Sequence, residues 1–120
     1  MSLLRKLGQM ALAGIFISGG SQAFLQPGHR VKALEKAGFP EPETLVVFNG
    51  AVMAVGGTML ALDIAPRLTA LALLGSLVPT TLVGHPFWKE ESEATRKAQQ
   101  TQFMKNLSLI GGLLLVLAGK

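Results

Sequence analysis

The chain has 120 residues, 11 Lys or Arg against 7 Asp or Glu, and a formal net charge of +4. Hydrophobic residues make up 49% and charged residues only 15%, against about 25% charged in an average soluble domain, and mean hydropathy is +0.44. Cysteine is absent, which excludes disulfides, thiolate nucleophiles, zinc–thiolate sites and iron–sulfur clusters within the chain.

The charges gather in short blocks between long uncharged runs, so lipid is the expected solvent for one all-α domain. The basic excess then reflects topology and anionic headgroups. No nucleic-acid-binding pattern is present.

In chain order, Arg5 and Lys6 precede an apolar run over about 7–24 that Pro27-Gly28 closes. The run imitates a signal peptide, but it is too long for one and reads as a retained first helix. Cleavage near Ala13 or Ser21 is the minor alternative. A polar loop over 29–43 follows, in which VKALEKAG (31–38) can form one or two amphipathic turns. A second apolar helix is expected over about 44–62. Only residues 63–66 separate it from the third, over about 67–84, so the two must form a hairpin. Pro66 suits a helix start.

Pro79 interrupts the third segment and predicts a kink, and Thr80 and Thr81 stand where freed backbone groups need partners. The segment ends in His85-Pro86-Phe87-Trp88. Residues 89–102, KEESEATRKAQQTQ, predict a solvated surface helix with Glu93 and Lys97 one turn apart. A fourth apolar helix is expected over about 103–119. The expected architecture is an integral-membrane antiparallel four-helix bundle, multi-pass in the plasma membrane. Its orientation signals conflict: Arg5, Lys6, Arg67 and Lys120 stand against Arg30, Lys32, Lys36, Lys89, Arg96 and Lys97, a count that leans towards cytoplasmic long loops, while the Arg5-Lys6 pair before the first helix pulls the other way.

Small residues mark expected helix contacts. They are Ala11, Gly14, Ser18 and Ser21 on the first helix, and Gly50, Ala54, Gly57 and Ala61 on the second. Ala72, Ser76 and Thr80 follow on the third, and Ser108, Gly111 and Gly112 on the fourth.

Polar residues at membrane depth are functional candidates by default. Asn49 can cross-link helices or contact a headgroup or quinone ring. Lys105 lies about one turn into the fourth helix, where it can snorkel to the surface or face inward towards an anionic headgroup, a semiquinone oxygen or a carboxylate. Trp88 fits an interfacial aromatic belt, and His85 is a lone imidazole without the partners a metal site needs. The topology brings His85, Trp88, Lys105 and Asn106 to one side of the membrane, where they form a candidate ligand-binding corner. Gln9 and Gln22 read as structural. No nucleophilic triad, phosphate loop or dinucleotide fingerprint is present.

FISGG (16–20), NGA (49–51), PRLTALAL (66–73), SLVPTTLVGHPFW (76–88) and FMKNLSLIGGLLL (103–115) together resemble the DoxX family of small four-helix membrane proteins, in particular its actinobacterial-type members. The resemblance implies a membrane subunit. Some relatives are described as subunits of thiosulfate:quinone oxidoreductase, others as membrane scaffolds for a superoxide dismutase and a sulfurtransferase. Many members carry a lysine near the end of the first helix, where this chain has Gln22. The leading expectation is a non-catalytic membrane subunit that anchors a redox or stress-response complex, with the lipid bilayer and other protein subunits as partners. The alternative is a quinone- or lipid-binding subunit of an oxidoreductase, and a small transporter ranks below both.

Overall fold

In apolar surroundings a backbone must satisfy its own donors and acceptors, and helices do so within one segment. A computed structural model describes residues 2–84 and 91–119, and its regular structure there is helical throughout. The elements are α1 (Leu3–Leu25), α2 (Gly28–Lys36), α3 (Pro42–Ala61), α4 (Pro66–Gly84) and α5 (Glu93–Ala118).

Local chemistry sets the boundaries. Ser2 caps α1 by accepting from the Arg5 amide at 3.1 Å, and Pro42 occupies the first turn of α3. α2 ends in a paired motif, with the Gly38 amide bonded to the Glu35 carbonyl and the Phe39 amide to the Leu34 carbonyl. Gly38, at φ 84°, supplies the left-handed residue this motif needs. α3 ends the same way, with Asp63 bonded to Leu60 and Ile64 to Met59, but here Asp63 takes the left-handed position at φ 59°.

Five helices therefore form where four apolar segments were expected, because the amphipathic stretch of the first loop becomes the full helix α2. The charged segment and the fourth apolar segment also join. Residues 93–110 contain neither glycine nor proline, so nothing breaks the helix at their junction, and α5 runs through. α4 likewise continues through Pro79.

Contacts run in opposite order along neighbouring helices. Along α1 and α3, Gln9 meets Leu60, Phe16 and Ile17 lie over Gly57, and Gly20 meets Gly50. α3 meets α4 through Gly56 against Leu73 and Asn49 against Ser76 and Thr80. α4 meets α5 through Arg67 against Leu117 and Thr81 against Asn106. Ala13, Phe16, Leu60, Ala70, Leu73, Leu77 and Leu113 form the shared core.

The α1–α3 crossing is the tightest approach. A Cβ on Gly20 would stand 2.5 Å from the Ala54 amide nitrogen, and one on Gly50 would stand 2.8 Å from the Gly20 carbonyl oxygen and the Phe24 nitrogen. The α3 stripe of Gly50 and Gly57 packs as its sequence predicts. On α1 the buried face is instead Gln9, Ala13, Phe16, Gly20 and Ala23, spaced four, three, four and three apart. Ala11, Gly14 and Ser18 point outward, with open space beside Gly14. Gly112 meets the Leu12 side chain, and Gly111 faces open space.

Outside the core, large apolar side chains stay exposed on every long helix. They include Leu7, Met10 and Ile15 on α1, Phe48 and Val55 on α3, Leu68, Leu71 and Leu82 on α4, and Leu107, Leu114 and Leu115 on α5. So continuous an apolar surface is foreign to a water-soluble monomer. α3 and α5 are individually long and apolar enough to cross a bilayer, with window mean hydropathies of 1.7 and 1.4.

Gly20→Leu or Gly50→Leu should force α1 and α3 apart and cost about 1–3 kcal/mol or more. Gly14→Leu, in open space, should leave the thermal midpoint of the detergent-solubilised protein within a few degrees. Circular dichroism melts of the three variants check this.

Candidate functional site

α4 turns a row of hydroxyls towards its neighbours: Ser76 and Thr81 are buried and Thr80 is half-buried. Each threonine donates to the carbonyl four residues back, Thr80 to Ser76 at 2.7 Å and Thr81 to Leu77 at 2.7 Å. These bonds flank Pro79, which has no amide hydrogen of its own to contribute to the helix. Bonding in this way leaves the hydroxyl oxygens free to accept.

Two asparagines use that capacity. From α3, Asn49 Nδ2 donates to Thr80 Oγ1 at 3.0 Å, while Ser76 Oγ donates to Asn49 Oδ1 at 2.5 Å. From α5, Asn106 Nδ2 donates to Thr81 Oγ1 at 3.1 Å. Asn106 is 7% exposed. The structure thus brings Asn49 and Asn106 to successive residues of α4 from its two flanking helices. Both are neutral amides engaged in helix-to-helix hydrogen bonds.

Lys105 adjoins Asn106 in sequence, but its side chain is exposed. His85 and Trp88 lie outside the described residues, so the expected corner is seen here only through Asn106 and Lys105. Among the described residues no group of three His, Asp or Glu side chains converges as a metal site would require.

A second polar group, at the opposite end of the helices, is built on Gln9, which the sequence reads as structural without naming its partners. Gln9 is 3% exposed, and its Nε2 donates to the Leu60 carbonyl at 3.2 Å and to Asp63 Oδ1 at 3.0 Å. Nearby, Arg67 Nε donates to the Leu117 carbonyl at 2.9 Å, and the Arg5 guanidinium lies against Gly119. Cations at a helix C-terminus satisfy its orphan carbonyls and complement its dipole. Gln9 continues the Ala13–Phe16–Gly20–Ala23 spacing, which places it on the packing face of α1.

An apolar groove of about 410 Å³ opens between α3 and α4, lined by Ala51, Val55, Gly56, Met59, Leu68 and Ala72 among others. With almost no polar lining, it can receive hydrocarbon but cannot orient a headgroup or a ring carbonyl.

A family model described as DoxX matches residues 5–86, a span that takes in α1 to α4 and ends before α5. No curated protein and no solved structure matches the chain.

Interhelical hydrogen bonds in membranes contribute about 0.6 kcal/mol on average and up to about 1.7 kcal/mol. Asn106→Ala and Asn49→Ala should each destabilise the solubilised protein by about that amount, and Lys105→Ala should not. A double-mutant cycle of Asn106→Ala with Thr81→Ala should return a coupling energy in the same range. At the other end, Asp63→Ala should cost about 1 kcal/mol more than Asp63→Gly, since both lose the Gln9 bond but glycine relieves the left-handed backbone. Equal melts for these two variants would contradict the assignment.

Proposed function

Since the chain belongs to the DoxX family of membrane proteins, we propose that α1, α3, α4 and α5 form an antiparallel four-helix transmembrane bundle. In this bundle the chain serves as a non-catalytic membrane subunit that anchors a partner complex. The redox or stress-response character of that complex rests on the family resemblance.

The observation that carries the anchoring role is α5. Its apolar part packs on α4 through Asn106 and Leu113, while its first ten residues, 93–102, continue outward as a charged and mostly exposed helix. At about 1.5 Å per residue this arm extends about 15 Å. Because helix and arm are one element, a protein bound to the arm would be held rigidly to the bundle. The Glu93–Lys97 pair, at 3.6 Å with both side chains largely exposed, adds at most a few tenths of a kcal/mol to the arm.

The transmembrane part of the proposal draws on the exposed apolar faces of all four long helices. Since the chain lacks cysteine, single-cysteine reporters can be placed freely. Ser2→Cys and Ile64→Cys should react from one side of sealed vesicles, and Lys32→Cys and Thr95→Cys from the other. Labelling of all four from one side would refute four spans.

For the anchoring role, crosslinking in native membranes should yield a reproducible protein partner that is lost in an Arg96→Glu/Lys97→Glu variant with unchanged membrane insertion. A partner retained by that variant would move the docking surface off the arm. The absence of any reproducible partner would refute the role.

The apolar groove between α3 and α4 favours a second reading, a subunit that takes up the hydrocarbon tail of a quinone or lipid. Organic extraction of the purified protein should then yield a stoichiometric quinone or lipid, and Gly56→Leu should reduce it.

A further inference from the structure

α2 carries three cations, Arg30, Lys32 and Lys36, against one acid, Glu35. At 100° per residue two of them, Lys32 and Lys36, share one face. Val31 and Leu34, both half-buried, share the face turned to the protein, where α2 packs on α3 and α4. Lys32 and Lys36 stand one turn apart on the opposite face, and both are exposed. Like charges at this spacing destabilise a helix. Among the described residues neither lysine, nor Arg30, takes part in an ion pair. The charged arm of α5 differs, since its Lys97 is paired with Glu93.

The surroundings are apolar. The chain enters α2 from Phe24 and Leu25 and leaves it through Phe39, and all three side chains are exposed. α2 joins the end of α1 to the start of α3, and the end of α1 lies against the middle of α3, with Phe24 at Gly50. A short helix at the end of two spans, with unpaired lysines outward and aromatic side chains beside it, has the composition of an interfacial helix.

We propose that the Lys32–Lys36 face of α2 is a docking surface for anionic phospholipid headgroups. A phosphate between the two lysines offsets their repulsion, while Phe24, Leu25 and Phe39 enter the acyl boundary below. Charge complementarity selects this occupant, because the face offers hydrogen-bond donors and positive charge. The surface holds α2 in the plane of the membrane and thereby fixes the level at which α1 ends and α3 begins. This inference rests on the transmembrane proposal for α1 and α3, which the cysteine labelling tests separately.

The experiment uses the full chain in mixed micelles containing equal amounts of dioleoylphosphatidylglycerol and dioleoylphosphatidylcholine, with retained lipid counted by native mass spectrometry. Each cation near an anionic surface strengthens binding by about fivefold. The native chain should therefore retain phosphatidylglycerol over phosphatidylcholine by roughly tenfold or more, and a Lys32→Gln/Lys36→Gln variant should fall to about threefold or less. Arg96→Gln/Lys97→Gln, which removes cations from the arm, should keep the native preference. The preference should also shrink as salt rises from about 0.05 to 0.5 M, because screening shortens the reach of exposed charges.

Equal retention of the two lipids by the native chain would overturn the proposal, as would a preference unchanged in the α2 variant. Loss of preference in the arm variant alone would relocate the lipid site to α5 and equally overturn it. An intact labelling pattern alongside any of these results would leave the four-span topology standing.

Discussion

The rest of the structure depends on the contact between Gly20 and Gly50. At this crossing the α1 and α3 backbones come so close that a methyl group on either residue would meet main-chain atoms at 2.5–2.8 Å. In lipid there is no hydrophobic gain from bringing two apolar helices together, so close packing and polar ties must supply the attraction. Fixing this crossing also fixes the register of everything along it. One end brings Gln9 to Leu60 and Asp63. In between, Phe16 reaches Gly57.

The ends and the interior use polar groups in different ways. Inside, Asn49 and Asn106 tie α3 and α5 to the same stretch of α4, where Pro79 has already loosened the backbone ladder and Thr80 and Thr81 have turned to their own carbonyls. The proline and the asparagines thus belong to one arrangement. The hydroxyls beside the proline bond carbonyls of their own helix and serve as acceptors for the neighbours. At the end bearing the α3–α4 turn, Arg67 and Arg5 sit at the C-terminus of α5, and the Asp63 carboxylate receives Gln9 across the helix interface. Charge is kept to the rim there, where water can share its solvation.

Two features point away from the core, the Lys32–Lys36 face of α2 and the arm of α5. Their chemistry differs. Among the described residues the α2 lysines have no acidic partner, which suits a headgroup layer. The arm mixes signs and pairs them, which suits a solvated protein surface.

The sequence alone determined the all-helical class, the apolar segments, the hairpin imposed by the short connection read at 63–66, and the contact stripe of α3. It also brought Asn49 and Asn106 forward, because an amide in an apolar run needs a partner wherever it lands. It could not say which partner, since the hydroxyls of α4 lie 25 to 31 residues away from them in the chain. The contact face of α1 was likewise decided only in three dimensions. Small residues occur all round that helix, so composition offers several candidate faces. The one that packs is the one whose Phe16 fills the space over Gly57 while Gly20 clears the α3 backbone. The union of the charged segment with the last apolar helix was settled by continuity of the backbone: without a glycine or proline at the boundary, a change of solvent does not end a helix.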